Sequence, residues 1–298
     1  QRSTLFPYTT LFRSPGSAGV VRLLVAHGAS PDAWSRNGSP LVWAARSGQS
    51  ANVGLLLELG AKVNARGERG DELSALERAV QARQVQVAPL LLEAGADPNV
   101  ESVHYGFVPF RYRGEQPDGL AWRMTHTPTP RFERMTPLHL AASTGDLEMV
   151  RALLDHGART DVGSHFDGGP LDFAIYLEQF ETAELLLSRG ARAQLGDSHL
   201  ILAAGAGNAR QVELLLRGGA DPDARSSYQN QTPLHCAAQA GAVAAAERLL
   251  AGGADPALVD SQGKKPSELA AGEPLRTLLE RAEAASAAKG GAGGGAPR

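Results

Sequence analysis

The chain has 298 residues, with 29 Lys and Arg against 32 Asp and Glu and a net charge of −3. That balance excludes the strong positive field that gathers nucleic acid or an anionic membrane surface, and no run approaches the roughly 20 apolar residues of a bilayer-spanning helix. Its single cysteine, Cys236, excludes a disulfide within the chain; this suits a reducing compartment, and a cytoplasmic location is expected.

In chain order, Arg2 to Ser14 reads RSTLFPYTTLFRS, which is the translation in one frame of a common short-read sequencing adapter. Residues 1–14 are therefore expected to be an artefact and are set aside. From Pro15 onward, two or three leucines followed closely by Gly-Ala recur seven times, at Gly28, Gly60, Gly95, Gly157, Gly190, Gly219 and Gly253. Subtraction gives spacings of 32, 35, 62, 33, 29 and 34 residues, so a period near 33 holds with one inserted segment. Such a period marks stacked repeats, not a core closed on itself. The first unit enters midway, with only its second helix, Val20 to His27.

The unit from Met135 to Val162 shows what each repeat needs. Thr136 can cap a helix that Pro137 opens with its φ already helical. Leu138 and Leu140-Ala141-Ala142 face neighbouring helices, Gly145 ends this first helix, and Leu147, Val150, Leu153 and Leu154 form the apolar face of a second. Gly157 is predicted to close it in the left-handed conformation. Helices this short are unstable alone, so each pair must stack on another.

Thr136-Pro137-Leu138-His139 recurs as Thr232-Pro233-Leu234-His235. With Ala-Ala, Leu-Leu and Gly-Ala following in register, these residues resemble the ankyrin repeat. Weaker copies run from Ser39-Pro40-Leu41, Ser74-Ala75-Leu76, Gly169-Pro170-Leu171 and Ser198-His199-Leu200. The resemblance implies an all-α solenoid of helix-turn-helix units joined by β-hairpin loops, with about seven and a half repeats over residues 15–280. Val42, Glu77, Asp172 and Ile201 replace the histidine, so the Thr–His hydrogen bonds are expected to be missing there. The repeat at Ser74 lacks proline and the first-helix glycine and is expected to be looser. Glu178 stands where Gly145 and Gly241 sit, and a different turn is expected there. Lys265 to Leu279 form a shortened capping unit, and residues 281–298 are expected to be a disordered Ala/Gly-rich tail.

The insertion, about residues 102–131 between the third and fourth repeats, holds Phe107, Phe110, Tyr112 and Trp122 beside arginines. It is expected to be an extended β-hairpin that either packs on the array or contacts a partner. On the inner helix face, Arg46, Gln81, Ser143, Thr144, Tyr176, Asn208 and Gln239 differ from repeat to repeat and are the expected contacts. The histidines and carboxylates show no metal or catalytic spacing, and Cys236 is expected to be a buried thiol. Asn64 and Asn99 hold the loop position that asparagine hydroxylases use in some ankyrin proteins, with a turn-forming role favoured. The resemblance thus implies a non-enzymatic, monomeric scaffold that binds another protein and uses no cofactor. The alternative is a regulatory or targeting portion of a larger enzyme whose catalytic domain lies upstream.

Overall fold

The computed structural model describes residues 18–34, 38–66, 73–104, 133–163, 168–227 and 229–291. They fall into two units, one containing 18–104 and 133–163, the other 168–291. In the first unit α1 (Ala18–Ala26) precedes three helix pairs: α2 (Pro40–Arg46) with α3 (Ser50–Glu58), α4 (Ala75–Gln81) with α5 (Ala88–Glu93), and α6 (Pro137–Thr144) with α7 (Leu147–Asp155). The second unit holds α8 (Pro170–Tyr176) with α9 (Phe180–Ser188), α10 (Gly196–Gly205) with α11 (Ala209–Arg217), α12 (Pro233–Gln239) with α13 (Val243–Ala251), and α14 (Pro266–Leu269) with α15 (Glu273–Gly291). In the first unit first helices pack on first helices and second on second; in the second unit the same holds from α10 onward and for all second helices, while α8 meets α11.

Two leucines per repeat build the core. Leu41, Leu76, Leu138, Leu171, Leu200 and Leu234 on the first helices, and Leu56, Leu91, Leu153, Leu186, Leu215 and Leu249 on the second, are each at most 1% exposed. Burying each contributes about 1.5–3 kcal/mol, which the isolated helix pair could not recover. All seven Gly-Ala glycines have positive φ, between 82° and 95°. At each, the following alanine N–H donates to a leucine carbonyl one turn back, as Ala158 does to Leu153 at 2.9 Å. This double return satisfies the carbonyls that a helix end leaves open.

Four expectations are corrected. Glu178 does not change its turn: it adopts φ +60°, and Gln179 N–H donates to Ala174 O at 2.8 Å, as Gln49 does to Ala44 at 3.0 Å. The repeat at Ser74 is not looser. Arg83 takes φ +55° in its glycine-less turn, and Ser74 and Glu77 form a complete reciprocal cap, with Ser74 N–H to Glu77 Oε2 at 2.8 Å and Glu77 N–H to Ser74 Oγ at 3.3 Å. The missing histidine is likewise replaced in function at Asp172, whose Oδ2 accepts from Gly169 N–H at 2.9 Å. A carboxylate oxygen does there what an imidazole nitrogen does elsewhere. The fourth correction lies at the end of the chain. Helix continues through Gly291, past the expected start of the tail at 281, because alanine is the strongest helix former and Glu283 reaches back to Lys265 Nζ at 2.9 Å and to Ser267 Oγ. Residues 292–298 lie outside the described residues.

Two smaller boundaries also move. The first described helix is Ala18–Ala26, and α10 begins at Gly196, before Ser198, because no proline stands at its expected start.

Left-handed backbone costs a non-glycine residue about 1–2 kcal/mol. Glu178→Gly is therefore expected to raise the unfolding free energy by about 1 kcal/mol, read from urea denaturation. The side chain gives up only a 3.5 Å contact from Asn208 Nδ2. A loss of stability would show that this contact outweighs the strain.

Candidate protein-binding surface

The loops are stitched by Asp and Asn side chains that accept from the next repeat. In the first unit Asp32 Oδ1 accepts from Lys62 N–H (2.8 Å), Asn64 Oδ1 from Asp97 N–H (2.9 Å) and Asn99 Oδ1 from Arg159 N–H (2.8 Å). In the second, Asp197 accepts from Asp221 N–H and Asp223 from Asp255 N–H, both at 2.8 Å. Asn64 and Asn99 also donate through Nδ2 to Gly95 O (2.9 Å) and Gly157 O (3.0 Å). Both amides thus join repeats, a larger role than the expected turn.

The insertion leaves the array through β1 (Ser102–His104) and β2 (Glu133–Met135), which pair antiparallel with Ser102 opposite Met135. Arg66 anchors this base: its Nη2 donates to Glu77 Oε2 at 2.9 Å and to Ser102 Oγ, while Glu77 is wholly buried. Such a pair is costly to break, since either partner alone would be left charged and desolvated. Phe107, Phe110, Tyr112 and Trp122 lie outside the described residues.

The inner-face candidates divide into exposed groups and structural ones. On the first unit Arg46 is exposed with its guanidinium 5.8 Å from the centre of the Trp43 ring, and exposed Gln81 accepts from Arg78 Nη1 at 3.0 Å. The Ser143 and Thr144 hydroxyls donate to Leu140 O (2.7 Å) and Ala141 O (3.1 Å) of their own helix; Ser143 is buried and Thr144 half-exposed. On the second unit half-buried Tyr176 lies against His199, with ring centres 5.8 Å apart and planes tilted by 33°. Gln239 is exposed. Half-buried Asn208 caps its helix, its Oδ1 accepting from Gln211 N–H at 3.2 Å. Cys236 is half-exposed, not buried. Trp43, Arg78 and Cys236 share the position after the fourth residue of the repeat phrase, with Trp43 buried and the other two half-buried.

The electrostatics serve structure. Both buried imidazoles at the repeat phrase accept at Nδ1, His139 from Thr136 N–H (3.2 Å) and His235 from Thr232 N–H (3.1 Å). His235 Nε2 donates to Lys264 O at 3.0 Å. That pattern requires a neutral ring, and burial pushes the His235 pKa down accordingly. On the second helices, hydrogen bonding from Arg217 foremost, with Arg210 beside it, holds Glu184 below the usual carboxylate range, at N···O distances of 2.8 and 2.6 Å. Among the described residues no three His, Cys, Asp or Glu side chains converge as metal ligands, and no helix is long and apolar enough to cross a membrane.

A family model for ankyrin repeats matches in three copies, at residues 13–102, 119–197 and 200–285. The probable 26S proteasome regulatory subunit p28 of Saccharomyces cerevisiae is 31% identical over 151 residues, 48% of this chain and 66% of that protein. The E3 ubiquitin-protein ligase KEG of Arabidopsis thaliana is 27% identical over 249 residues, 74% of this chain and 15% of the ligase. Among solved structures, the human ASB11 ankyrin repeat domain is 22% identical, with 98% of this chain and 99% of that chain covered at a TM-score of 0.46. The chain spans less than two thirds of each of these curated relatives. With the repeat phrase, the Gly-Ala helix ends and the family match all in one register, the chain belongs to the ankyrin-repeat family.

Proposed function

We propose that the chain is a non-enzymatic module that binds another protein through the inner face of its first helices and the adjoining hairpin loops. Ankyrin repeats in general mediate protein–protein contact, and that much follows from membership. One observation carries the finer reading. Three residues beyond the row of Trp43, Leu140 and Phe173, the side chain varies, as Arg46, Gln81 and Ser143 in the first unit and Tyr176, Gly205 and Gln239 in the second, with only glutamine occurring twice, while the core leucine beneath is the same. Stacking needs the constant position and, apart from buried Ser143, leaves the varied one exposed or half-exposed, so the variation suits recognition of one partner.

Affinity capture followed by calorimetric titration with the captured protein tests this. Tyr176→Ala is expected to weaken binding about tenfold, because half-buried aromatics carry disproportionate interface energy, with helicity by circular dichroism unchanged. Unaltered affinity for both Tyr176→Ala and Arg46→Glu would sink the inner-face reading. A second reading, that this array is the targeting part of a larger protein, is supported by the alignment of 74% of the chain with 15% of the plant ligase. A cytoplasmic site of action agrees with the single half-exposed thiol.

A further inference from the structure

In the second and third repeats, arginine and glutamate take opposite sides. On α2, α4 and the turns that follow them, the charges that reach solvent are Arg46, Arg78 and Arg83. Their acidic neighbour in sequence, Glu77, is wholly buried against Arg66. The adjoining second helices α3 and α5 carry Glu58 and Glu93, both exposed, and no basic residue. A chain of net charge −3 thus places a purely basic strip on the inner side of these helices.

The strip is held in place. The exposed Arg46 guanidinium lies 5.8 Å from the centre of the buried Trp43 ring, a fixed platform for a cation. Among the described residues no carboxylate pairs with it. The Arg46 carbonyl accepts from Gln84 Nε2 at 3.2 Å, which fastens the end of α2 to the turn that carries Arg83. Half-buried Arg78 donates from Nη1 to Gln81 Oε1 at 3.0 Å, so its guanidinium extends along α4 toward the exposed inner position. Arg83 stands 3.5 Å from Asp146 Oδ2, but that side chain is nearly buried and also caps α7, its Oδ1 accepting from Met149 N–H.

Other helices place acid beside their arginines. Arg22 meets Glu58, Arg210 and Arg217 meet Glu184, and Arg248 lies 3.6 Å from Glu213. Arg151 on α7 has Glu148 and Asp155 one turn to either side. Among the described residues, α2 and α4 have no such acid on their solvent side.

We propose that the inner face of α2 and α4 receives an acidic segment of the bound protein, one carboxylate pairing with Arg46 and another with Arg78. This rests on the inner face being the protein-binding surface. A guanidinium offers a carboxylate two parallel N–H donors, and Arg83 adds to the field without needing contact. A basic segment is repelled there. Three arginines on a negatively charged chain are too few for nucleic acid, whose binding draws on many phosphates at once.

The probes are fluorescein-labelled oligoglutamate, oligoglutamine, oligolysine and oligothymidylate of about ten units each, titrated with the intact chain at low salt and read by fluorescence anisotropy. Oligoglutamate alone is expected to bind. Arg46→Gln and Arg78→Gln should each weaken it about threefold, and the two together about tenfold, with helicity by circular dichroism unchanged. Arg151→Gln, which removes an exposed arginine from α7, should leave affinity within about twofold. Oligoglutamate binding that is absent, or that survives the double variant, overturns the acidic seat. So does oligothymidylate bound as tightly through the same arginines, which would make the strip a general polyanion surface. If the captured partner loses affinity in Tyr176→Ala but not in the double arginine variant, the acidic seat falls and the inner-face reading stands. If oligoglutamate needs both arginines while partner affinity is untouched by Tyr176→Ala and Arg46→Glu, the seat stands alone and the inner-face reading falls.

Discussion

Asp172→Ala is expected to lower the unfolding free energy by about 3–5 kcal/mol. Asp172 is fully buried, and its carboxylate accepts three backbone N–H groups: Gly169 at 2.9 Å, Gln194 at 2.8 Å and Leu195 at 3.2 Å. The first opens α8, and the other two belong to the loop leading into α10. Alanine would leave all three donors buried or half-buried without that acceptor, each worth about 1–3 kcal/mol when orphaned. Asp172→Asn keeps one acceptor oxygen but turns an amide N–H toward a backbone N–H, so a loss of about half that size is expected. Urea denaturation followed by circular dichroism measures both. A change below about 1 kcal/mol for Asp172→Ala would mean that water enters the site freely and that the carboxylate is not what joins α8 to the following loop.

Gly157→Val should cost about 2–3 kcal/mol. Gly157 has φ +85°, and an added Cβ would meet nothing within 4 Å, so the penalty arises from the backbone and not from crowding. A branched side chain resists that conformation more than alanine does. The same residue's N–H donates to Leu154 O at 3.1 Å, and its carbonyl accepts from Asn99 Nδ2 at 3.0 Å, so any shift to negative φ disturbs both the helix end and the loop contact. Gly54→Ala is the matched control. Gly54 lies within α3 without positive φ and with open space around it, and the exchange should stabilise by about 0.5–1 kcal/mol. Thermal melts that leave Gly157→Val unchanged would remove the left-handed helix end from the account.

These two residues also mark what was legible beforehand. The role of Gly157 could be read because glycine is the residue that enters positive φ without strain, and its recurrence with Ala and leucines left a register. The role of Asp172 is hidden by residue type, because the fold asks only for a buried acceptor at that distance from its own helix start. Glu77 meets the same demand. The turns at Arg83 and Glu178 are hidden for a related reason. A left-handed non-glycine leaves no mark in the chain, and the turn's hydrogen bonds, with flanking helices already packed, outweigh the strain. On the inner face, Arg46, Tyr176 and Gln239 could be placed from the register alone. That the Ser143 and Thr144 hydroxyls and the Asn208 amide oxygen bond within their own helices could not, because hydroxyls and amides choose between backbone and partner only once the helix exists. The helix through residues 282–288 was hidden by a composition that reads equally as linker, until Glu283 found Lys265.

The Asp and Asn rungs between loops have a direction. Asp223, for one, offers an oxygen to the repeat after it, while Asp221 gives its own N–H to the repeat before. Every unit so equipped has a receiving end and a giving end, like monomers that add head to tail. A duplicated unit inserted between two others would meet a matching group on either side, so the array could lengthen or shorten by whole units during descent without stranding a loop amide.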